Sequence, residues 1–181
     1  MTTRLHVMKR DAYCSSCGTA YTDTSTYPRV CPGCGMQTWA NPTPVAIVLV
    51  PVKDGSRTGL LVVRRSIPPV GQLALVGGFV DQGETWQQAG ARELCEEAGM
   101  LVDSATLRPL WFTSTEPDPR HVLLFSVAPE VQAADLPPFT PNSEASERGV
   151  IFGPRGLAFS LHEEAALKFF GFDGPAEFKP Q

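Results

Sequence analysis

The chain alternates short apolar runs with clusters of turn-forming residues along most of its length. Short apolar runs bounded by Gly, Pro, Asp or Ser are typical of β-strands rather than helices. Strands are predicted over residues 45–52, 59–65, 73–77, 105–114, 121–128 and 144–152. Pro51 predicts a bulge or a strand end inside the first run, because proline has no N–H to donate to a ladder. Several runs are apolar at successive positions, which predicts strands that are buried on both faces.

Two segments carry the end signals of helices. Thr85 and Gln88 form a capping box that begins the first helix, and Gly99 is placed to end it in a left-handed conformation. Four residues of this helix share the i, i+3, i+4, i+7 spacing of a face that packs on a core. These residues are Ala91, Leu94, Cys95 and Ala98.

The second helix is predicted near the end of the chain, where Ser160 and Glu163 form another capping box and Gly171 is the stop. Residues 130–143 are rich in proline and are predicted to form a loop over the site. The tail from Asp173 is predicted to be loose. The order of strands and helices predicts an α/β fold.

Three carboxylates occupy the side of the first helix opposite its predicted apolar face. Glu93, Glu96 and Glu97 are spaced i, i+3, i+4, which brings their Cβ atoms within about 5–6 Å of one another. Such carboxylates repel each other by about 0.2–0.5 kcal/mol per pair. A solvated acidic face accounts for the cluster taken alone. A bound divalent cation would reverse the sign of the interaction, and ligation by oxygen alone favours Mg²⁺ or Mn²⁺.

The acidic cluster belongs to a longer motif in which every fixed position is matched. Gly78 is followed by Glu84 and then by residues 92–100, RELCEEAGM, which fits G-x5-E-x7-R-E-U-x-E-E-x-G-U with U a bulky apolar residue. This pattern resembles the Nudix box, the signature of hydrolases that cleave nucleoside diphosphates linked to another group. The match spans 23 residues, so coincidence is improbable.

Four of the five cysteines form two C-x-x-C pairs separated by thirteen residues, and they are Cys14, Cys17, Cys31 and Cys34. Two such pairs predict a tetrahedral Zn²⁺ site with four thiolate ligands, and two disulfides are the alternative in an oxidising compartment. Four thiolates close the coordination sphere, so the zinc is predicted to be structural and not catalytic. A segment of about 40 residues with little apolar content needs a cross-link of this kind to fold stably.

The length of 181 residues suits one small module and one main domain. A zinc ribbon is predicted over residues 1–41 and a Nudix domain over residues 42–181. The net charge of −4 argues against nucleic-acid binding, so the ribbon aromatics are expected to pack internally or to make a subunit contact such as that of a homodimer. The sequence shows neither a membrane-spanning run nor a signal peptide, and a cytoplasmic location is expected.

The Nudix resemblance implies an α/β/α sandwich around a mixed sheet. A four-cysteine ribbon directly before such a domain is further similar to NADH pyrophosphatases. The implied reaction is hydrolysis of the diphosphate linkage in a small-molecule nucleotide such as NADH, NAD, ADP-ribose or FAD, with release of a nucleoside monophosphate. NADH pyrophosphatases carry aromatic residues in the stretch that matches residues 113–121, where this chain has charged residues. The substrate is therefore left open, with a dinucleotide or ADP-ribose placed first and a nucleotide sugar, FAD or a nucleoside triphosphate after them.

The resemblance also implies a role for each matching residue of the box. The divalent ions are implied to bind the carboxylates of Glu93, Glu96 and Glu97. The carbonyl oxygen of Gly78 is implied to join them. Arg92 is implied to orient a catalytic glutamate through a charge-assisted hydrogen bond.

Residues outside that core of the motif complete the predicted site. Glu84 is implied to act like the arginine or to lie in the outer metal shell. Glu144 resembles the first glutamate of an E-x-x-E sequence in NADH pyrophosphatases and is predicted as a further metal ligand. Glu116, from its own loop, is the rival to Glu144 as the general base and is expected near the substrate. For Glu144 and for Glu116, a solvated loop carboxylate is the alternative. Arg64 and Arg65 are predicted to contact substrate phosphates, with a solvated strand end as the alternative.

A non-catalytic nucleotide or RNA sensor with the same fold is the alternative function. The intact acidic cluster argues against it, because a pure binder has no need of three carboxylates. His6, His121 and His162 have no paired partner in the sequence and are assigned no role.

Overall fold

The computed structural model of the protein describes residues 11–117 and 120–181, so His6 lies outside the described residues. The chain divides into two compact units, one ending at Pro42 and the other beginning at Thr43. This division falls one residue after the boundary expected from the sequence. Neither α-helix within the described ranges is long and apolar enough to cross a membrane.

The first unit is built from short segments around a buried arginine. Strands β1 (Arg29–Val30) and β2 (Gln37–Thr38) pair in antiparallel fashion. The guanidinium of Arg29 donates hydrogen bonds to the backbone carbonyl oxygens of Thr24 and Thr26 and to that of the more distant Asp11. Its central carbon lies 3.9 Å from the centroid of the Tyr27 ring. At least this tyrosine therefore packs within the unit, as expected for the ribbon aromatics.

The second unit contains the remaining strands and both α-helices of the described residues. The strands are β3 (Thr43–Leu49), β4 (Pro51–Asp54), β5 (Arg57–Arg65), β6 (Leu73–Ala74), β7 (Val76–Phe79), β8 (Arg108–Ser114), β9 (His121–Val127), β10 (Val131–Gln132), β11 (Ala145–Ile151) and β12 (Phe178–Pro180). The helices are α1 (Trp86–Ala98) and α2 (Ser160–Phe170), with 3₁₀ turns at Ser104–Thr106 and Ala133–Asp135.

The strands of this unit form two sheets, and each sheet is mixed. One has the order β7-β3-β9-β8, and the other has the order β10-β4-β5-β11-β12 with β6 paired to β5. The parallel pairs are β3 with β9 and β4 with β10. The mixed sheet predicted from the sequence is confirmed, with the difference that it is divided in two.

The apolar run 45–52 passes from one sheet to the other. Strand β3 ends at Leu49 and β4 begins at Pro51, so the proline marks the predicted strand end. Because successive side chains of an extended chain point to opposite sides, the run contributes to two buried clusters. The cluster that includes α1 contains Val48, Val50 and Val52, and the cluster that includes α2 contains Ile47 and Leu49. The two helices cover opposite sides, as in the predicted sandwich.

The caps of α1 form as predicted. The Thr85 hydroxyl accepts the N–H of Gln88 over 3.2 Å, and the Gln88 side chain accepts the N–H of Thr85 over 2.8 Å. Gly99 ends α1 with φ 68° and Gly171 ends α2 with φ 70°, which is the left-handed region that glycine adopts without strain.

The predicted capping box of α2 is wrong. Phe159 occupies the N-cap position and makes no side-chain cap hydrogen bond, while Ser160 is the first helical residue. The carboxylate of Glu163 accepts the backbone N–H groups of Gly156 and Leu157 instead. Glu163 therefore stabilises the loop before α2 and does not cap the helix.

Two further segments differ from their predictions. The tail is not loose, because β12 pairs with β11 and Asp173 accepts a hydrogen bond from Arg155 over 2.6 Å. Strand β11 is consequently not the last strand. The loop 130–143 does not lie over the cavity described below, since its apolar side chains pack on the core cluster beside α1.

Candidate active site

A cavity of about 920 Å³ lies beside β7 in the second unit. Its acidic lining comes from α1, from the loops after β7 and β8 and from the residue directly before β11, and it includes Asp81, Glu93, Glu96, Glu97, Glu116 and Glu144. Its aromatic and basic lining includes Arg65, Phe79, His121, Phe159 and His162. The fold thus brings predicted site residues from separate parts of the chain to one concave surface.

Helix α1 turns a different face to the core from the one predicted. Its buried residues are Ala89, Gly90, Glu93, Leu94, Glu97 and Ala98. Cys95 is exposed and Ala91 is only partly buried, so the predicted stripe is wrong at these two positions. A Cβ on Gly90 would lie 2.8 Å from a methyl carbon of Val48, which shows how closely the helix approaches β3. This approach directs the two buried glutamates toward β7 and away from solvent.

The glycines of β7 leave room for these carboxylates. A Cβ on Gly78 would overlap the carboxylate of Glu93. The N–H of Gly77 donates to Oε2 of Glu97 over 3.4 Å. A larger residue at the first glycine of the motif would therefore displace the Glu93 carboxylate from its observed position.

Arg92 is surrounded by acceptors. Its Nη2 donates to Oε1 of Glu84 over 2.7 Å and to the carbonyl oxygen of Phe79 over 2.9 Å. Its Nη1 donates to Glu93 over 2.7 Å and to Glu96 over 3.2 Å. The hydrogen bonds between Arg92 and Glu84 raise the pKa of the guanidinium and lower the pKa of that carboxyl. Arg92 therefore ties the glycine-rich loop to the acidic helix.

Glu97 and Glu93 lie where ionisation is unfavourable. Burial raises the pKa of Glu97 to about 8, and the neighbouring charges of Glu93 and Glu144 add to the effect. Burial also raises the pKa of Glu93, although Arg92 opposes the shift. A nearby cation stabilises the charged form of a carboxylate, so this environment fits a bound cation.

The carboxylates are less tightly gathered than the cysteines. Within residues 11–117 and 120–181, the four cysteines are the one group of metal-ligating side chains with all ligand atoms within 4.8 Å of one another. The carboxylates of the cavity do not meet that distance. Arg92 draws Glu93 and Glu96 toward its guanidinium. A cation bound at Glu93 has to share that carboxylate with the arginine.

Asn142 joins the segment before β11 to the end of α1. Its Nδ2 donates to the carbonyl oxygens of Glu96 and Glu97 over 2.9 and 3.2 Å. Its Oδ1 accepts the N–H groups of Glu144 and Ala145 over 2.9 and 2.8 Å. One side chain thus sets the position of Glu144 relative to the helix carboxylates.

The two arginines predicted near phosphates are placed differently. Nε of Arg64 donates to Glu147 over 2.6 Å, and Arg64 is absent from the cavity lining. Arg65 lines the cavity, and its central carbon lies 5.0 Å from the centroid of the Phe159 ring. The structure therefore brings Arg65, but not Arg64, to the site.

Two histidines without an assigned role also line the cavity. Nδ1 of His121 lies 2.6 Å from the hydroxyl of Thr43, and its ring is tilted against Phe79 at 5.5 Å. His162 is buried, and its Nδ1 accepts the N–H of Leu75 over 3.2 Å.

The four cysteines of the first unit converge, and they are free thiols rather than disulfides. The sulfur atoms of Cys14 and Cys34 lie 3.7 Å apart, and those of Cys17 and Cys31 lie 3.5 Å apart. Four sulfurs held tetrahedrally at about 2.3 Å from a zinc ion lie about 3.8 Å from each other. The observed spacing fits that geometry.

The electrostatics of the cluster also favour a cation. Hydrogen bonds from the backbone of Ser16 and Cys17 lower the pKa of Cys14 to about 6. The backbone of Met36 lowers the pKa of Cys34, but hydrogen bonding to Cys17 and burial outweigh it and raise that pKa to about 12. Cys14 therefore ionises readily, whereas Cys34 resists ionisation beside the other thiols. A bound cation would relieve the repulsion among four thiolates.

Comparison with known proteins agrees with the geometry. The NUDIX domain model matches residues 42–169. The NAD-capped RNA hydrolase NudC of Deinococcus radiodurans is 32% identical over 129 residues, covering 70% of this chain and 44% of that protein. The NAD(P)H pyrophosphatase NUDT13, mitochondrial, of Homo sapiens is 40% identical over 76 residues, covering 42% of this chain and 20% of that protein. This chain therefore spans less than half of the length of either relative.

The crystal structure of a NUDIX hydrolase from Nitrosomonas europaea matches with a TM-score of 0.66 at 23% identity, covering 88% of this chain and 90% of that one. A likeness at this identity shows the fold, which confirms the predicted architecture. The names of NudC and NUDT13 support the predicted resemblance to the NADH pyrophosphatase branch. With its box residues gathered at one cavity and most of its length matched by the family model, the chain belongs to the Nudix family.

Proposed function

We propose that the chain hydrolyses the diphosphate linkage of a nucleoside diphosphate derivative, such as NADH, NAD, ADP-ribose or FAD, and releases a nucleoside monophosphate. Its main support is the set of carboxylates at one cavity, with Glu93 and Glu97 buried on α1 and Glu144 directly before β11. A diphosphate repels attacking water unless its charge is neutralised, and desolvated carboxylates are suited to hold the cations that do so.

The residues present fit Mg²⁺ or Mn²⁺. Glu93, Glu97 and Glu144 offer only oxygen atoms, which hard cations prefer, and the more exposed Glu96 and the backbone of Gly78 supply more. A bound cation would neutralise the diphosphate and lower the pKa of a water molecule.

The remaining groups orient these carboxylates or move a proton. Arg92 holds Glu93 and, through Glu84, the loop of the box. Glu144 lies close enough to Glu97 to raise the pKa of Glu97, which suits two carboxylates that bind one cation. We assign Glu116 as the general base, because it lines the same cavity from a separate loop and can accept a proton from the attacking water.

The size of the cavity favours a substrate with an organic group on each side of the diphosphate. Its volume of about 920 Å³ is at the upper end of typical ligand pockets, which reach about 1,000 Å³. Phe79 lines the cavity with 55% of its surface exposed, so its ring is available to stack on a planar group. These features favour a dinucleotide or ADP-ribose over a nucleoside triphosphate.

For the first unit we propose one structural Zn²⁺ bound by Cys14, Cys17, Cys31 and Cys34. The unit would then be a zinc ribbon over residues 1–41 that precedes a Nudix domain over residues 42–181. Tyr13 and Trp39 are more than half exposed in the ribbon, which leaves them available for a subunit contact such as that of a homodimer. The proposed ligand of the main domain is a small nucleotide rather than a nucleic acid.

A hydrolysis panel tests the reaction directly. The purified protein, first treated with EDTA and then given Mg²⁺ or Mn²⁺, is incubated with NADH, NAD, ADP-ribose, FAD, nucleotide sugars, dinucleoside polyphosphates and capped RNA. We expect metal-dependent release of a nucleoside monophosphate from a dinucleotide or ADP-ribose, measured by chromatography. In ¹⁸O-water the label identifies which phosphorus is attacked.

The same panel separates the enzyme from the alternative sensor. Metal-independent binding of a nucleotide without turnover on any substrate would contradict the hydrolase and favour a sensor. The matched control is Glu164→Gln, which removes a half-exposed carboxylate of α2 that pairs with Lys168 outside the cavity. This variant is expected to hydrolyse substrate at the wild-type rate.

Replacing Asn142 with Ala is expected to lower kcat about tenfold with little change in KM. The substitution removes the hydrogen bonds that fix Glu144 against α1, and a small misplacement of a ligand costs at least about tenfold in activity. Asn142→Asp retains the acceptor for Glu144 but places an anion against the carbonyl oxygens of Glu96 and Glu97. Steady-state kinetics on both variants should show reduced kcat, and wild-type kcat in both would exclude this positioning role.

A further inference from the structure

The free edge of β7 is occupied by side chains from both helices. In an antiparallel ladder, successive N–H groups point alternately to the partner strand and to the opposite edge. At that opposite edge the N–H of Gly77 donates to Glu97 of α1, and the N–H of Leu75, the residue directly before β7, donates to His162 of α2. Groups two residues apart on a strand lie about 7 Å from each other. His162 is therefore a close neighbour of the proposed metal-binding carboxylates within the same cavity.

The hydrogen bond from Leu75 fixes the proton position on His162. Burial and the charge of Arg65 lower the pKa of His162 to about 3, so the imidazole is neutral at pH 7. Because Nδ1 accepts a hydrogen bond, the single ring proton has to reside on Nε2. His162 thus presents one N–H donor of fixed identity.

This donor has no protein acceptor in the described part of the chain. Within the described residues the imidazole makes its hydrogen bond at Nδ1 and none at Nε2, and Nε2 is not fully buried. The residue is 8% exposed and lines the cavity, so a ligand held in the cavity can reach the accessible Nε2–H. A side chain that is more than nine-tenths buried and keeps its donor directed at a cavity indicates a ligand acceptor.

Aromatic and cationic groups flank the same donor. The Phe159 ring centroid lies 4.9 Å from that of His162, and the Arg65 guanidinium lies over the Phe159 ring at 5.0 Å. Phe125 contacts the other side of the imidazole edge-on at 6.0 Å and holds its orientation. The aromatic rings and the guanidinium plane give the surroundings flat surfaces, on which a planar ring can stack.

We propose that His162, with Phe159 and Arg65, forms a subsite for a planar heterocycle at one end of the substrate, and that His162 Nε2–H donates to an acceptor on that ring. This subsite rests on the proposed function, because the ring would belong to the nucleotide whose diphosphate lies at the carboxylates. The ring is either the purine of the nucleoside or the second ring of a dinucleotide. Both carry acceptors of the required kind.

Two substitutions separate the donor from the structural hydrogen bond. His162→Asn keeps an oxygen that accepts the N–H of Leu75, but its shorter amide does not place an N–H at the position of Nε2. His162→Gln places an amide N–H near the position of Nε2 and restores the donor. We expect the Asn variant to raise KM for NADH about tenfold with kcat unchanged, and the Gln variant to recover most of the loss.

Comparison of two substrates identifies the ring. If the subsite holds the purine, the KM values for NADH and ADP-ribose rise together in His162→Asn. If it holds the second ring, only the KM for NADH rises, because ADP-ribose lacks that ring. Equal KM values for wild type and His162→Asn on both substrates, or equal losses in the Asn and Gln variants, would overturn the subsite.

Calorimetric titration with NADH in EDTA keeps the subsite testable when no hydrolysis occurs. An increase in Kd in His162→Asn that His162→Gln reverses supports the subsite even if turnover is absent and the hydrolase proposal fails. Unchanged Kd in both variants contradicts the subsite whatever the activity. Thermal unfolding of each variant, expected within a few degrees of wild type, excludes loss of fold as the cause.

Discussion

Replacing Glu97 with Gln is expected to lower kcat about 10³-fold while the protein stays folded. Glu97 is 7% exposed, lines the cavity and lies beside Glu93 and Glu144, so its charge acts at short range on whatever the site binds. Gln has the same shape but no charge, and a loss of about 4 kcal/mol of charge stabilisation corresponds to about 10³ in rate. Steady-state hydrolysis at saturating Mg²⁺ measures the effect.

Two neighbouring substitutions on α1 serve as controls for Glu97→Gln. Glu96→Gln changes a neighbour whose side chain is 58% exposed, and we expect a smaller loss because water screens and replaces that carboxylate more easily. Cys95→Ala changes the exposed residue next to Glu96 and should leave kcat unaffected. Full turnover by Glu97→Gln would show that the metal-binding group has been assigned to the wrong carboxylates.

The same variant should change how stability depends on pH in the metal-free protein. Burial raises the pKa of Glu97 to about 8 from its ordinary value of 4.5. Between these pH values the folded state holds a proton that the unfolded state has lost, so the free energy of unfolding falls as pH rises. The contribution is fully present below pH 4.5 and is lost as pH rises through about 8, on the order of a few kcal/mol.

Denaturant unfolding in EDTA at several pH values between 5 and 8 tests this dependence. Wild type should lose stability as pH rises, and Glu97→Gln should lose much less, because the amide does not titrate. Addition of Mg²⁺ should restore wild-type stability most strongly near pH 8, where the carboxylate ionises and binds the cation. Parallel pH profiles for the two proteins would contradict the buried, protonated state of Glu97.

The box and its helix are predictable from the sequence because their signals are local. The capping box at Thr85, the stop at Gly99 and the spacing from Gly78 all lie within one short segment, and the structure forms each of them. The buried face of α1 was predicted from apolar residues alone and is wrong at Ala91 and Cys95. The small residues on the same face as Glu93 and Glu97 were the available signal for the buried face, because small side chains let a helix pack closely against a sheet.

Other parts of the site depend on partners that are distant in sequence. His162 acquires its tautomer from Leu75, 87 positions away, and Asn142 reaches Glu97, 45 positions away. Neither residue belongs to a periodic pattern or a motif, so only the fold shows what it contacts. The false capping box at Ser160 has the same origin, because Glu163 is engaged by the preceding loop rather than by the helix end.

Removal of zinc is expected to unfold the first unit while the second unit keeps its structure. The described strands of the first unit are two residues long, and two of its few buried apolar side chains are the ligands Cys14 and Cys31. Zinc binding to four thiolates contributes about 10–16 kcal/mol in small domains, more than such a unit gains from burial. The second unit has two apolar clusters of its own and does not depend on this metal.

Hydrogen exchange resolved by peptide, together with thiol titration and elemental analysis, measures this outcome. The purified protein should contain one zinc per chain, and either chelation or Cys14→Ser should remove amide protection from residues 11–42 and expose thiols to a colorimetric reagent. Peptides from residues 43–181 should keep their protection. Cys95→Ser is the matched control, because this cysteine lies on α1 outside the cluster and its loss should leave zinc content unchanged. Unchanged exchange in residues 11–42 after complete removal of the metal would mean that side-chain packing around Arg29, and not the thiolate cluster, holds the unit together.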